Sequence, residues 1–294
     1  MESIPEVRKM AASGNTQHES KVCYIIPVYN NKAGLLRTLG AIANSRTKPN
    51  KILIVDDGSK EPIDLAGTEF SEICHVFRHD VNKGISVGLN RLISEASALK
   101  FDFAALVDAG DLPTPDRLDR QLEFLRINPQ VAVLGGSMRI IGLDGKVQTE
   151  FAAPITARDI HIAFRRGYPF AHPTATFRLA LFTSFNISYN PNIRASVDYD
   201  MLYRLHLANP ESVRNIPDIL VEYVREAESI GIRRATLQAR EAYRIRLRHA
   251  SLSSLHSLVG LMDIRLLTRA FSAKLFFAAS DFYRSLKRRR TALQ

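Results

Sequence analysis

Two aspartates three residues apart, Asp108 and Asp111, directly follow the apolar run Phe103-Ala104-Ala105-Leu106-Val107. The run reads as a buried strand, and Asp108-Ala109-Gly110-Asp111 reads as the loop at its C-terminal end. Carboxylates in such a place suit a hard cation such as Mg²⁺, which bridges to phosphate oxygens. The competing reading is a turn that uses Asp and Gly for backbone reasons alone. A second acidic cluster, Asp56-Asp57-Gly58-Ser59, closes another apolar run. One of its acids can simply accept turn N–H groups. A third cluster, Asp198-Tyr199-Asp200, opens a segment with helical spacing at Met201, Leu202 and Leu205. An acid is electrostatically favoured at that end of a helix, whether it acts in chemistry or only as a cap. Asp200 and Arg204 stand four apart, the spacing of an ordinary helical ion pair.

The elements that must position these acids follow from periodicity. Residues 22–28 are a short run of β-formers, and 32–43 carry Leu35, Leu36, Leu39 and Ile42 at helical spacing. Strands are expected at 51–55 and 75–78, a helix through Leu89-Asn90-Arg91-Leu92-Ile93, and a fourth strand before Asp108. Pro115-Asp116-Arg117-Leu118 restarts a helix with Pro in its first turn. This β-α-β-α-β-α-β order predicts an α/β fold, a mostly parallel sheet with helices on both faces. In such sheets ligands bind at the C-terminal ends of the strands, so the ends of strands one, two and four converge on one site. Further on, 131–136 read as a buried strand, and 138–141 with 147–151 read as a hairpin around Asp144-Gly145. A helix is expected over 155–163 and a short strand over 175–178. No G-x-G-x-x-G follows the first strand and no G-x-x-x-x-G-K-[ST] occurs, which excludes dinucleotide and P-loop sites.

The composition is globular, with 46% hydrophobic and 24% charged residues in 294. Residues 1–20 are expected to be a disordered lead-in without the apolar core of a signal peptide. Cys23 and Cys74 alone make no disulfide framework, which fits a reducing cytoplasm. The net charge of +10 sits at the C-terminal end: from Arg233 onward there are 14 Lys and Arg against three Asp and Glu. The rest is nearly neutral, which argues against a general nucleic-acid binder. Within 231–294, Ile264, Leu267, Phe271, Leu275, Ala278 and Phe282 recur at three- and four-residue steps, and Lys287-Arg288-Arg289-Arg290 follows. A basic amphipathic helix of this kind suits an anionic membrane surface; the alternative is packing on the domain or on a second copy in a homodimer. No run is long enough to span a bilayer.

Several short pieces occur together in order: Pro27-Val28-Tyr29-Asn30, Val55-Asp56-Asp57-Gly58-Ser59, Asn82-Lys83-Gly84, Asp108-Ala109-Gly110-Asp111 with Pro115-Asp116-Arg117-Leu118, His172-Pro173-Thr174 with Arg178, and Asp198-Tyr199-Asp200-Met201 with Arg204. On these the chain resembles the family-2 glycosyltransferases over residues 21–225. The resemblance implies a GT-A-like fold over 21–230 and inverting transfer of a sugar from a nucleotide-diphosphate sugar, UDP-linked, to an acceptor hydroxyl. It implies a role in cell-surface polysaccharide synthesis, with a saccharide or lipid-linked saccharide acceptor at the inner face of the cytoplasmic membrane. Pro27 and Tyr29 then form the first wall of the nucleotide pocket. Asp57 resembles the acid that hydrogen-bonds the base, Lys83 is expected near the nucleotide sugar, Asp108 lies near ribose and metal, and Asp198 is the candidate catalytic base. His172, Arg178 and Arg225 are expected to contact acceptor or diphosphate.

The chain departs from the family at one telling place. The family reads Asp-Ala-Asp-Asp where this chain has Asp108-Ala109-Gly110-Asp111, and the third position is its principal metal ligand. Three readings follow: Asp111 replaces it in holding Mn²⁺ or Mg²⁺, or the metal is weakened, or Lys83, Arg178 or Arg225 meets the leaving-group charge. A second departure is Tyr223-Val224-Arg225, where the family often has Tyr and Arg adjacent. The rival from another class is a non-catalytic sugar-nucleotide- or lipid-binding protein, with Gly110 as the mark of lost catalysis.

Overall fold

The structure, a computed structural model, describes residues 20–225 and 235–249. The order is β1 (Val22–Val28), α1 (Lys32–Ala43), β2 (Lys51–Asp56), β3 (Cys74–Arg78), α2 (Ile85–Ala98), β4 (Phe103–Leu106), β5 (Leu112–Pro113) and α3 (Arg117–Ile127). Then come β6 (Val133–Ile141), β7 (Val147–Phe151), α4 (Ala157–Arg166), β8 (Thr176–Arg178), α5 (Leu179–Ser184), α6 (Val197–Ala208), β9 (Val213–Val224) and α7 (Ala235–Arg248). The strands form one nine-stranded sheet in the order β3-β2-β1-β4-β8-β6-β9-β5, with β7 paired to β6.

The mostly parallel order expected from the sequence holds for β3, β2, β1 and β4. Beyond them the sheet is mixed: β8 is antiparallel to β4 and β6, while β6 and β9 run parallel. The 12-residue strand β9 has no counterpart in the sequence reading. Asn215, Pro217 and Asp218 interrupt its apolar pattern, and register shifts opposite Gly136 and Ser137 absorb the irregularity.

Successive side chains of a strand face opposite sides, and β1 uses both. Cys23 and Ile25 join the core under α2 and α6, with Leu89, Leu92, Leu202 and Leu205. Tyr24, Ile26 and Val28 join the core under α1 and α3, with Leu35, Leu39, Leu118 and Leu125. Burial on both faces explains why β1, β2 and β4 read as unbroken apolar runs. Ala239, Ala242 and Ile245 of α7 complete the first core, so the described part of the expected tail packs on the domain. Residues 264–290, where the basic amphipathic helix is expected, lie outside the described residues, as do residues 1–19.

Candidate functional site

The loop 108–111 is held over the start of α1. Thr38 Oγ1 donates to the Asp111 carbonyl at 2.8 Å and accepts from the Gly110 amide at 2.9 Å. Asn31 donates to the Ala109 carbonyl at 2.8 Å and also caps α1 through the Gly34 amide. Gly110 has φ +116°, a region that side-chain-bearing residues rarely enter. A Cβ there would lie 3.5 Å from Asn31 Nδ2 and 3.8 Å from Arg37 Nη2. A side chain at this position therefore starts toward α1, not away from it.

Asp108 is half-buried and Asp111 is buried. Burial raises the Asp108 carboxyl above its ordinary value; His172 opposes that and Asp198 adds to it. Burial also pushes Asp111 well up, Asp108 adds repulsion, and the Val224 amide and Arg117 offset part of it. Asp198, from a distant segment, thus acts electrostatically on Asp108, and Asp108 on its loop neighbour Asp111. Asp111 Oδ2 is buried without a hydrogen-bond partner. That donor set fits a hard cation whose remaining ligands come from phosphate and water. Among the described residues no three His, Cys, Asp or Glu side chains gather as a self-sufficient metal cage.

Asp198 sits half-buried in the first turn of α6. Its neighbour Asp200 is buried and takes the Arg204 guanidinium at 2.9 Å, the ordinary ion pair. His172 occupies the short turn just before β8, and its Nε2 lies 2.7 Å from the hydroxyl of fully buried Tyr189. Asn90 of α2 fixes Tyr189 through both backbone groups, at 2.8 and 2.9 Å. Burial raises the Tyr189 hydroxyl well above its ordinary value, with Asp198 and Asp108 adding to the effect. The phenol therefore keeps its proton.

On the nucleotide side, Pro27 pairs with Val55 near the end of β1, and Tyr29 beyond it is half-exposed. Asp57 is buried, and its oxygens accept from the Lys83 and Gly84 amides at 2.9 and 2.8 Å and meet His79 Nδ1 at 2.7 Å. About three of the four acceptor positions of a carboxylate are thereby used. Asp57 pins the loop before α2 to the end of β2 and keeps one position for a donor. Asp56 is the turn acid: it accepts from the Ser59 and Ile63 amides at 2.9 and 3.1 Å and pairs with Arg78. The Lys83 side chain is exposed.

One expected contact falls elsewhere. Arg178 donates to the carbonyls of Val131 and Asn128 at 3.2 and 3.3 Å and to that of Leu125, and stacks 5.1 Å over Phe103. Phe103 is the first residue of β4, so Arg178 closes the end of α3 at the sheet edge opposite the acids. It is not available to a diphosphate beside Asp108. Arg225 is nearer, following Val224, but its guanidinium rests on Gln148 at 3.4 Å. Tyr189 carries no sequence signal that marks it, since a lone Tyr in a loop is unremarkable.

The model of the Glycosyl transferase family 2 matches residues 23–189. Among curated proteins, the amylovoran biosynthesis glycosyltransferase AmsE of Erwinia amylovora is 23% identical over 71% of this chain and 78% of its own. The putative glycosyltransferase EpsE of Bacillus subtilis is 25% identical over 55% of this chain and 58% of its own, so the match spans little more than half of that relative. S. aureus TarS, solved with UDP-GlcNAc, superposes with TM-score 0.59 at 19% identity, covering 85% of this chain and 72% of that one. The mannosyltransferase PcManGT of Pyrobaculum calidifontis, solved with GDP-Man and Mn²⁺, gives 0.58 at 16% identity over 92% and 81%. These two share the fold, which is of GT-A type.

Proposed function

The chain belongs to glycosyl transferase family 2, and from that premise we propose that it moves a sugar from a UDP-linked donor to an acceptor hydroxyl, with inversion, in the synthesis of a cell-surface polysaccharide. The observation that carries the reading is the acid loop 108–111 at the end of β4, with a buried and unpartnered Asp111 Oδ2, on whose Asp108 both His172 and Asp198 act from separate segments. Relatives named for amylovoran biosynthesis and for poly-β-1,6-N-acetyl-D-glucosamine synthesis support a polysaccharide product. TarS, solved with UDP-GlcNAc, supports the donor class.

In this reading Tyr29 and Pro27 flank the base and the free position of Asp57 accepts from it. The acceptor hydroxyl gives its proton to an Asp198 carboxylate oxygen as its own oxygen attacks the anomeric carbon. The bond from that carbon to the phosphate oxygen breaks, and the nucleoside diphosphate leaves with the electron pair. Attack from the face opposite the leaving group inverts the centre. Asp108 and Asp111 would hold a divalent cation, which when bound neutralises charge on the leaving diphosphate. His172 borders the reacting centre from the side of β8, and Lys83 and Arg225 lie at its margins. The acceptor is a saccharide or a lipid-linked saccharide. Among the described residues no helix is long and apolar enough to cross a membrane.

The test is nucleoside-diphosphate release by the purified full chain from a panel of UDP- and GDP-sugars, with Asp198→Asn beside the wild type. The expected result is release from a UDP-sugar, reduced at least about 100-fold in the variant, with UDP affinity unchanged. Retained turnover in Asp198→Asn would remove that residue from the role of base.

A further inference from the structure

Arg117 is the largest fully buried side chain among the described residues, and no carboxylate pairs with it directly. A buried cation is costly, and an apolar residue of similar volume would usually serve stability as well or better. Its Nε and Nη2 find acceptors, its Nη1 finds none, and the guanidinium lies 5.5 Å from the centre of the Tyr24 ring. Nη2 donates to the Leu106 carbonyl at 2.7 Å and to the Ala175 carbonyl at 3.2 Å. Leu106 ends β4, two residues before Asp108, and Ala175 lies three residues after His172. The Leu106 amide already donates to the Ala175 carbonyl at 2.8 Å, and the guanidinium clamps that join between the strand that carries the first acid and the turn that carries the histidine.

Gln121, one helical turn later on α3 and equally buried, extends the tie. Its Oε1 accepts from Arg117 Nε at 3.0 Å and from the Thr176 hydroxyl at 2.7 Å. Its Nε2 donates to the Thr174 carbonyl at 2.8 Å and to the Leu134 carbonyl at 3.1 Å. The pair therefore joins β4, β6, β8 and the His172 turn from beneath. Arg117 also acts electrostatically on Asp111.

We infer that Arg117, buttressed by Gln121, is a positioning residue that sets the separation of Asp108 and His172 and through it the geometry of transfer. The inference rests on the proposed glycosyl transfer at this edge. A displacement of about 1 Å at a reacting centre costs on the order of 100-fold in rate, so turnover is the sensitive readout and donor affinity is not.

Two full-length variants test it. Arg117→Lys keeps the charge but loses the fork that reaches two carbonyls. Thr176→Val removes one hydroxyl at the edge of the network and guards against failure of the first to fold. Expected are kcat losses of about 100-fold and about 5-fold respectively, with the Kd for UDP within about twofold and the far-UV spectrum unchanged. A folded Arg117→Lys enzyme with wild-type kcat, or one whose loss lies wholly in donor affinity, overturns the assignment. Amide exchange separates this from the functional premise. Exchange at 172–176 should quicken about tenfold in Arg117→Lys while β1 and β2 stay protected. That result stands even if no donor is ever turned over, whereas unchanged exchange at 172–176 overturns the inference on a proven enzyme too.

Discussion

The Tyr189 hydroxyl and His172 Nε2 stand 2.7 Å apart, with Tyr189 fully buried. A buried hydroxyl needs a hydrogen-bond partner, and Nε2 is the one in reach. The contact fixes the orientation of the His172 ring. Tyr189→Phe removes that contact and frees the imidazole to rotate. The expected outcome is a fall in kcat of about 10-fold with donor affinity kept, read by product release and by titration with UDP.

Gly110 is not simply a ligand awaiting restoration. Its φ of +116° strains any side chain there, and a Cβ would start toward Asn31 Nδ2 and Arg37 Nη2, groups that would compete with a metal for an acid. Gly110→Asp should lower stability by about 1–3 kcal/mol from backbone strain and should not tighten Mn²⁺ binding. Thermal melts and metal titration of the same preparation check both halves.

Ligand-induced stabilisation tests the pocket directly. A ligand that binds only the folded state raises Tm. UDP with Mn²⁺ should raise Tm more than UDP alone in the wild type, and Asp111→Asn should abolish the difference. An equal rise with and without metal would move charge stabilisation to the side chains at the margin.

His206 gives a pH dependence with a definite sign. It is buried, stacks 4.7 Å from Phe164, and burial lowers its pKa to about 4, with His161 and Arg214 adding to the effect. The unfolded chain takes up this proton near the ordinary value of about 6.5, and the folded chain near 4. Stability is therefore full above about 6.5 and is lost as pH falls from there toward about 4. His206→Leu should flatten Tm against pH across that window, measured by calorimetry.

The sequence makes the acid edge legible because parallel strands leave their C-terminal ends on one side, and Asp56, Asp57, Asp108 and Asp111 each follow such a strand. It misleads at Arg178 because β8 is antiparallel to β4. In a reversed strand the turn that leads into it, with His172, lies toward the acids, and Arg178 at its end lies at the opposite edge. No local pattern announces that reversal. Asp57 was legible in place but not in detail: its partners His79, Lys83 and Gly84 are at least 22 positions away. Arg117 stands in the piece Pro115-Asp116-Arg117-Leu118 that carries the resemblance, but its burial and its link to Gln121 come only from tertiary packing. The long strand β9 was hidden by its own Pro and Asn.

The Ser196 hydroxyl, immediately before the helix that bears Asp198, donates to the Gln238 carbonyl of α7 at 3.0 Å, and Arg246 Nε donates to the Tyr199 hydroxyl at 3.1 Å. A shortened gene ending at codon 230 would strip away this outer brace and uncover Tyr199 and Tyr203, against which Arg246 and His249 rest. A minimal enzyme should therefore extend through residue 249, and trimming from that end is a way to loosen the base without touching it.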